Sequence, residues 1–349
     1  MAATPRLLVY GATGYTGRLV AEHAKESGLD VVVAGRNRER VTALGEELGV
    51  ESRAFALDDP EVLRAALDGI TVVLNVAGPF RHTARPLMDA GIDAGVHYLD
   101  TTAEYDVFAA ARSRDTAAKA AGVMIMSGVG WDVVPSDSVA AHAAARVTDP
   151  VSLRLALKLL SATAEEAEGL NLFSRGSIIS ATEGIGDLGS LVRTDGDIVA
   201  LREPKTASFD FGDSGPEEAV SASMGDLVTS HFATGIPTIE VYVQAGQPLP
   251  VDLDLSALPD GPTAEEREVG RSKVVAEVTG RDGSVARSII ETPTGYRFTQ
   301  LSSVEIARRV LAGSFTPGFQ APSSAYGPEI ALAIADTRIV DVRDSTSTR

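Results

Sequence analysis

The sequence predicts an α/β chain in which a Rossmann-type, doubly wound parallel sheet is followed by a second, α+β domain containing a mixed or antiparallel sheet. Three observations carry this. Up to about residue 127, short apolar β-branched runs alternate with helix-length amphipathic stretches, the pattern of βαβ units. The first run opens directly into a glycine loop. Beyond about Gly128 the strand-like runs lengthen and helical periodicity becomes sparse.

The first-domain strands are expected at LLVY from Leu7, VVVAG from Val31, SRAFAL from Ser52, TVVLNVA from Thr71, HYLD from His97 and VMIM from Val123. They read as nearly continuous apolar runs because parallel strands are covered on both faces. Helices are expected between them, among others over Gly17 to Ser27, Arg38 to Leu48 and Pro60 to Leu67, the last after Asp58 and Asp59, residues suited to an N-cap. In the second domain, VSLRLALKL from Val151 and TIEVYVQA from Thr238 read as strands, and KVVAEVTGRDGSVARSIIET as a hairpin turning at Asp282-Gly283. Helical periodicity returns over Ser174 to Gly184 and Thr299 to Leu311, while Gln247 to Arg271 has the composition of a surface excursion. Domain boundaries are placed at 1–130 and 131–314, with 315–349 expected to pack back on the first domain.

With 349 residues, the chain is long enough for two cores. Its net charge of -17 repels polyphosphates and anionic lipid, which argues against nucleic-acid or membrane partners and requires any phosphate to be captured locally. Absence of cysteine excludes disulfides and thiol chemistry and fits a cytoplasmic location. His23, His82, His97, His142 and His231 show no metal-ligand spacing, so no metal is expected.

The strand LLVY feeds into Gly11-Ala12-Thr13-Gly14-Tyr15-Thr16-Gly17, followed by a helical stretch. A dinucleotide loop needs this context, because the backbone N–H groups and the positive helix end must approach a pyrophosphate closely. In an NAD site, Asp or Glu about twenty residues on would hold the ribose 2′-hydroxyl; here the second strand ends in Arg36-Asn37-Arg38. A guanidinium at that place suits the 2′-phosphate of NADP(H). Asp58 could meet the adenine or serve the helix cap. Asn75-Val76-Ala77-Gly78-Pro79, after the fourth strand, is suited to the nicotinamide end.

The set VYGATGYTG, AGRNRER, VLNVAGPF, HYLDTTAE, GVGWDVVPSD and APSSAYG resembles the saccharopine dehydrogenase-like reductases, a family that includes trans-acting enoyl reductases. The resemblance implies an NADP-binding Rossmann domain, a second domain with substrate and often dimer contacts, hence a possible homodimer, and reductase activity. Carried over by position, it supports Gly11 to Gly17 at the pyrophosphate, Arg36 and Asn37 at the ribose phosphate, and Ala77, Gly78 and Pro79 at the nicotinamide. It also turns Thr101, Thr102, Glu104, Gly130, Trp131 and Asp132 toward the interdomain cleft.

Short-chain dehydrogenases share the G-x-x-G-x-x-G loop and donate a proton from the tyrosine of Y-x-x-x-K, yet none of the seven tyrosines has a lysine four residues on. The remaining catalytic candidates are Asp132, Arg175 and Tyr326, with Ser174 and Thr182 on the second-domain helix. Plainer roles stand beside these: Asp132 capping a helix, with its neighbour Trp131 packing between domains, Arg175 in a surface ion pair, Tyr326 anchoring an interface. The expected activity is NADPH-dependent hydride transfer to a C=C or C=N bond of a small or carrier-bound substrate. The alternatives are a saccharopine-type amino-acid imine dehydrogenase and a non-catalytic NADPH-binding sensor or scaffold.

Overall fold

In the computed structural model, which describes residues 4–162, 173–180, 190–213, 215–244 and 260–342, the βαβ pattern folds as its periodicity demands. Strands β1 (Arg6–Tyr10), β2 (Asp30–Gly35), β3 (Glu51–Ala54), β4 (Val72–Asn75), β5 (His97–Asp100) and β6 (Met124–Met126) alternate with helices α1 (Tyr15–Glu26), α2 (Arg38–Leu48), α3 (Pro60–Ala66), α4 (Phe80–Ala94), α5 (Tyr105–Ser113) and α6 (Asp115–Ala121). Every pairing is parallel. Leu7, Leu8, Val32, Val33, Val72, Val73 and Leu74 are fully buried, so the sheet is covered on both faces. β3 is shorter than SRAFAL suggests. It is an edge strand that leaves the sheet after Ala54, and Phe55 turns inward against the Tyr10 ring, 5.1 Å between centroids.

The second part begins with α7 (Val134–Ala144) and continues through β7 (Pro150–Ser161), β8 (Ser190–Thr194), β9 (Asp197–Leu201), β10 (Thr206–Asp210), β11 (Pro216–Ser221), α8 (Asp226–Thr234), β12 (Thr238–Gln244), β13 (Arg271–Gly280), β14 (Val285–Thr292) and α9 (Gly295–Leu311). After them come β15 (Gly318–Phe319), α10 (Pro322–Tyr326) and β16 (Arg338–Val342). The second sheet runs β10-β11-β12-β7-β13-β14-β16, with β8 also paired to β12 and β9 paired to β8. It is mixed: β12 and β7 are parallel, while the β13–β14 hairpin and the other pairs are antiparallel.

The C-terminal stretch divides between the two sheets. β15 pairs with β6 and extends the first sheet to β15-β6-β5-β4-β1-β2-β3, whereas β16 pairs with β14 in the second. Helix α9 starts one turn earlier than its periodicity suggests and packs against α1. Helix α7 packs against β13 and β14. One continuous apolar core therefore runs from Leu7 and Val9 through Trp131 and Phe298 to Leu155 and Val274. No helix among the described residues is long and apolar enough to cross a membrane.

Candidate cofactor and substrate site

The glycine loop is shaped by two close approaches. Gly11 has φ +90° and its N–H donates to the Ala34 carbonyl; a Cβ there would stand 2.8 Å from the Ala77 backbone N. That contact brings the loop after β4 against the loop after β1. At Gly17 a Cβ would lie 2.1 Å from the Gly11 carbonyl oxygen, so only glycine lets α1 start this close to its strand. Gly14 is the N-cap of α1 and supplies no side chain, and the first turn holds no acidic residue. The free N–H groups and positive dipole of α1 therefore open onto the loop without a built-in anion, which is what a pyrophosphate requires.

Arg36 and Arg38 are exposed at the end of β2, and neither forms an ion pair among the described residues. In a chain of net charge -17 that leaves an unneutralised cationic edge. Asn37 caps α2 by accepting the Arg40 N–H at 3.0 Å. Arg40, not singled out by its sequence context, reaches back to donate to the Thr13 carbonyl at 3.0 Å and so ties α2 to the loop. Asp59 is the residue that caps α3, which leaves Asp58 beside Tyr10. Burial pushes the Tyr10 phenol up to about 12, with Arg36 pulling it down and Asp58 pushing it up. Arg36 and Asp58 thus face one patch at the carboxyl ends of β1 to β3. Arg36→Ala is expected to weaken NADPH binding ten- to a hundredfold by removing a charged hydrogen bond. NADH binding should stay unchanged; titration with both cofactors checks this.

At the opposite end of the groove Asn75 is buried and fully used. Its amide donates to the Thr83 and Tyr98 hydroxyls at 3.0 and 3.1 Å, and its carbonyl accepts the Ala77 N–H. Asn75 shapes the turn; Val76, which donates its N–H to the Tyr10 carbonyl, packs inward, and Ala77, Gly78 and Pro79 form the exposed bend, with a cis Gly78-Pro79 peptide. Of the residues expected in the cleft, several prove to be framework. Both carboxylate oxygens of Glu104 accept α4 N–H groups, Phe80 and Arg81, at 2.8 Å. The Thr102 hydroxyl accepts the Glu104 N–H, and the Thr101 N–H donates to the Asn75 carbonyl. Gly130 leaves room for Thr299 of α9. Trp131 is 2% exposed; its N–H donates to the Thr299 hydroxyl at 3.0 Å and its indole N–H to Thr292 at 2.9 Å. The plainer reading holds for it: it packs between domains.

The second domain reaches over the groove at two places. Tyr15, in the loop, donates to the Pro262 carbonyl, accepts from Arg267 at 2.8 Å and meets the Tyr296 ring edge-on at 5.1 Å. The Tyr296 hydroxyl in turn accepts the Ser174 N–H and lies 2.7 Å from the Ser177 hydroxyl. Residues 175–180 are helical, and a Cβ on Gly78 would come within 2.7 Å of the Ser180 hydroxyl. This helical turn therefore reaches the glycine loop through Tyr296 at one end and the Gly78 bend at the other. Residues 181–184 of the expected helix, with Thr182, lie outside the described residues, as do 247–259 of the excursion.

The three catalytic candidates are not brought together. Arg175 pairs with Asp260 at 3.4 Å. Tyr326 donates to the Ser314 carbonyl at 2.9 Å and lies under Arg309; burial pushes its phenol up to about 12. Arg175 belongs to the helical turn over the groove, whereas the bonds of Tyr326 are made to Ser314 and Arg309, away from it. Asp132 is half-buried in the loop that follows β6, does not cap α7, whose N-cap is Val133 without a side-chain bond, and burial pushes its carboxyl up to about 6.

Behind it stand two acids that sequence reasoning missed, because Asp137 and Asp226 are 89 positions apart and their neighbourhood is made by packing α7 on α8. Asp226 accepts the Ser136 hydroxyl at 2.5 Å, and Asp137 accepts the Ser323 N–H at 2.6 Å. Burial, reinforced by Asp137 and Asp132, pushes Asp226 up to about 8; burial alone takes Asp137 to about 6. Folded Asp226 holds its proton where the unfolded chain has released it, so its contribution to stability falls as pH rises from about 4 to about 8, then levels. Asp226→Asn is expected to abolish a loss of about 2 kcal/mol between pH 6.5 and 8, above the range of the other two acids. Denaturant unfolding of both proteins at the two pH values measures it.

Comparison with known proteins agrees with this fold and with an NADP-binding first domain. Residues 7–126 match the family model of the saccharopine dehydrogenase NADP binding domain, whose span coincides with β1 to β6. A Mycobacterium tuberculosis protein provisionally named a trans-acting enoyl reductase is 37% identical over 154 residues, 39% of this chain and 35% of that protein. The trans-acting enoyl reductase of Mycobacterium bovis is 34% identical over 141 residues, 38% of this chain and 33% of the relative. The chain thus spans about a third of the length of these curated relatives. Yeast saccharopine dehydrogenase (L-Glu forming) superposes with a TM-score of 0.62 at 14% identity, covering 97% of this chain and 100% of that one. Residues 7–126 thus match an NADP-binding domain of the saccharopine dehydrogenase type in sequence, and nearly the whole chain shares the fold of yeast saccharopine dehydrogenase.

Proposed function

We infer that the protein is an NADPH-dependent reductase delivering hydride to a C=C or C=N bond of a small or carrier-bound substrate. One observation carries this: the Gly78 bend, which we assign to the nicotinamide, lies against Ser180 of the second domain at the carboxyl ends of the sheet strands, the same edge from which the loop holding Asp132 leaves β6. Bound NADPH supplies the hydride. The chain's own part is to position two reactants, exclude water and hold a proton.

Asp132 is suited to hold that proton. A carboxyl raised to about 6 is partly protonated near neutrality and still able to donate. Tyr15 meets Tyr296 edge-on, and the Tyr296 hydroxyl bonds Ser174 and Ser177, so the glycine loop and the turn above it are joined by one chain of ring and hydrogen-bond contacts. The names of the mycobacterial relatives favour C=C over C=N, and "trans-acting" favours a substrate presented by another protein.

Loss of NADPH absorbance, followed with panels of enoyl thioesters and cyclic imines, tests the reading. Turnover of enoyl thioesters is expected. Turnover of imines alone would move the assignment to an amino-acid imine dehydrogenase, and cofactor binding without turnover on either panel would favour a sensor.

A further inference from the structure

Away from the cofactor groove, a cavity of about 450 Å³ is lined by Arg112 of α5, Arg193 of β8, and Val228, His231 and Phe232 of α8. Helix α5 begins at the carboxyl end of β5 and Arg112 lies seven residues along it, about 10 Å down the side of the sheet. None of the five lining residues contributes to the glycine loop, the Gly78 bend or the helical turn against it. The volume suits a small molecule.

The charge of this cavity is opposite to that of the chain. Arg193 is held by two backbone carbonyls, its Nε donating to Leu227 at 2.7 Å and its Nη1 to Gly196, and no carboxylate pairs with it among the described residues. Burial holds its guanidinium below the usual arginine range, while Tyr105 and Asp197 oppose that shift from a distance. Arg112 pairs with Asp115 at 3.2 Å, but Asp115 also takes the Lys119 ammonium at 2.9 Å and the Phe319 N–H at 3.0 Å. One carboxylate is shared by two cations. His231 Nδ1 lies 2.9 Å from the Ile236 carbonyl; a carbonyl only accepts, so that nitrogen carries the proton and Nε2 is left for another partner.

The apolar side is equally defined. Arg112 stacks 5.2 Å over the Phe232 ring and 5.9 Å from Phe319; the two rings meet edge-on. Val228 completes the floor. A site that combines two incompletely neutralised guanidiniums with an aromatic wall recognises an anion carried on an apolar body. The fork of Arg193, pre-oriented by the backbone, suits a planar or tetrahedral oxyanion.

We propose that this cavity is a second ligand site, separate from the NADP groove, which binds a small organic anion: a carboxylate or phosphate borne on an aromatic or apolar group. The test is calorimetric titration of the NADPH-saturated full chain with phenyl phosphate, benzoate, inorganic phosphate and phenol. Saturation with NADPH first removes the cofactor's own phosphate sites from competition. One-to-one binding of phenyl phosphate or benzoate is expected, about tenfold tighter than inorganic phosphate; whichever of the two binds more tightly identifies the headgroup. Arg112→Gln, at a side chain half exposed to solvent, should retain the wild-type unfolding temperature and lose ten- to a hundredfold in affinity. Arg193→Lys keeps the charge but not the fork and should weaken binding as well. Equal binding of phenol and phenyl phosphate, unchanged affinity in Arg112→Gln, or failure of both aromatic anions to bind would overturn the proposal.

Discussion

Asp132→Asn is expected to lower kcat by about 10²–10⁴, the usual contribution of a general acid, while leaving NADPH affinity unchanged. The side chain is isosteric, and no described residue depends on it for a hydrogen bond, so the fold should survive. The pH profile separates chemistry from structure. An acid must be protonated to donate, so wild-type kcat/KM should fall as pH rises through about 6, the value to which burial brings Asp132. The variant should lack that limb. Steady-state rates across pH would decide it, and an unchanged kcat would exclude Asp132 as the proton donor.

Gly17→Ala is expected to reduce NADPH affinity by more than a hundredfold. The added Cβ would stand 2.1 Å from the Gly11 carbonyl oxygen, 2.7 Å from the Gly11 carbonyl carbon and 2.8 Å from the Ala12 Cα. All three are backbone atoms of the same loop, so no rotamer change relieves the clash; α1 or the loop must move. Either movement takes the α1 N–H groups off the pyrophosphate, and the repacking costs about 1–3 kcal/mol of stability. Gly14→Ala is a milder companion, with its Cβ 3.3 Å from the Gly11 oxygen and φ of -80°. It should fold normally, which isolates the effect on cofactor binding. Fluorescence titration with NADPH, beside thermal unfolding, distinguishes the two; wild-type affinity in Gly17→Ala would remove the loop from the cofactor site.

The elements that frame the candidate cofactor groove were legible because their signals are local. A strand, three glycines at fixed spacing and a helix lie within one stretch of chain, and Arg36 ends the next strand. The hairpin at Asp282-Gly283 and the strand HYLD, found at His97–Asp100, are local in the same sense. The cleft was read less well. Glu104, expected to face substrate, instead caps α4, 24 residues away in the chain. Trp131 is tied to Thr299, 168 residues on, and Tyr15 to Arg267, 252 residues on. Tyr326 and Arg175 found partners in Ser314 and Asp260.

The order of residues along the chain was sufficient for the class of fold, for the strand, glycine loop and helix that open it, and for NADP(H) as cofactor, because each depends on backbone geometry, periodicity and charge among neighbouring positions. It could not say which polar side chains face the cleft and which serve as caps and struts. Nor could it reveal that Asp132, Asp137 and Asp226 share one buried region, or that Arg112 and Arg193 share one cavity. Those outcomes turn on which surfaces are withdrawn from water when two sheets and their helices pack, and burial, which sets both the titration of a carboxyl and the partners it finds, is a property of the packed molecule.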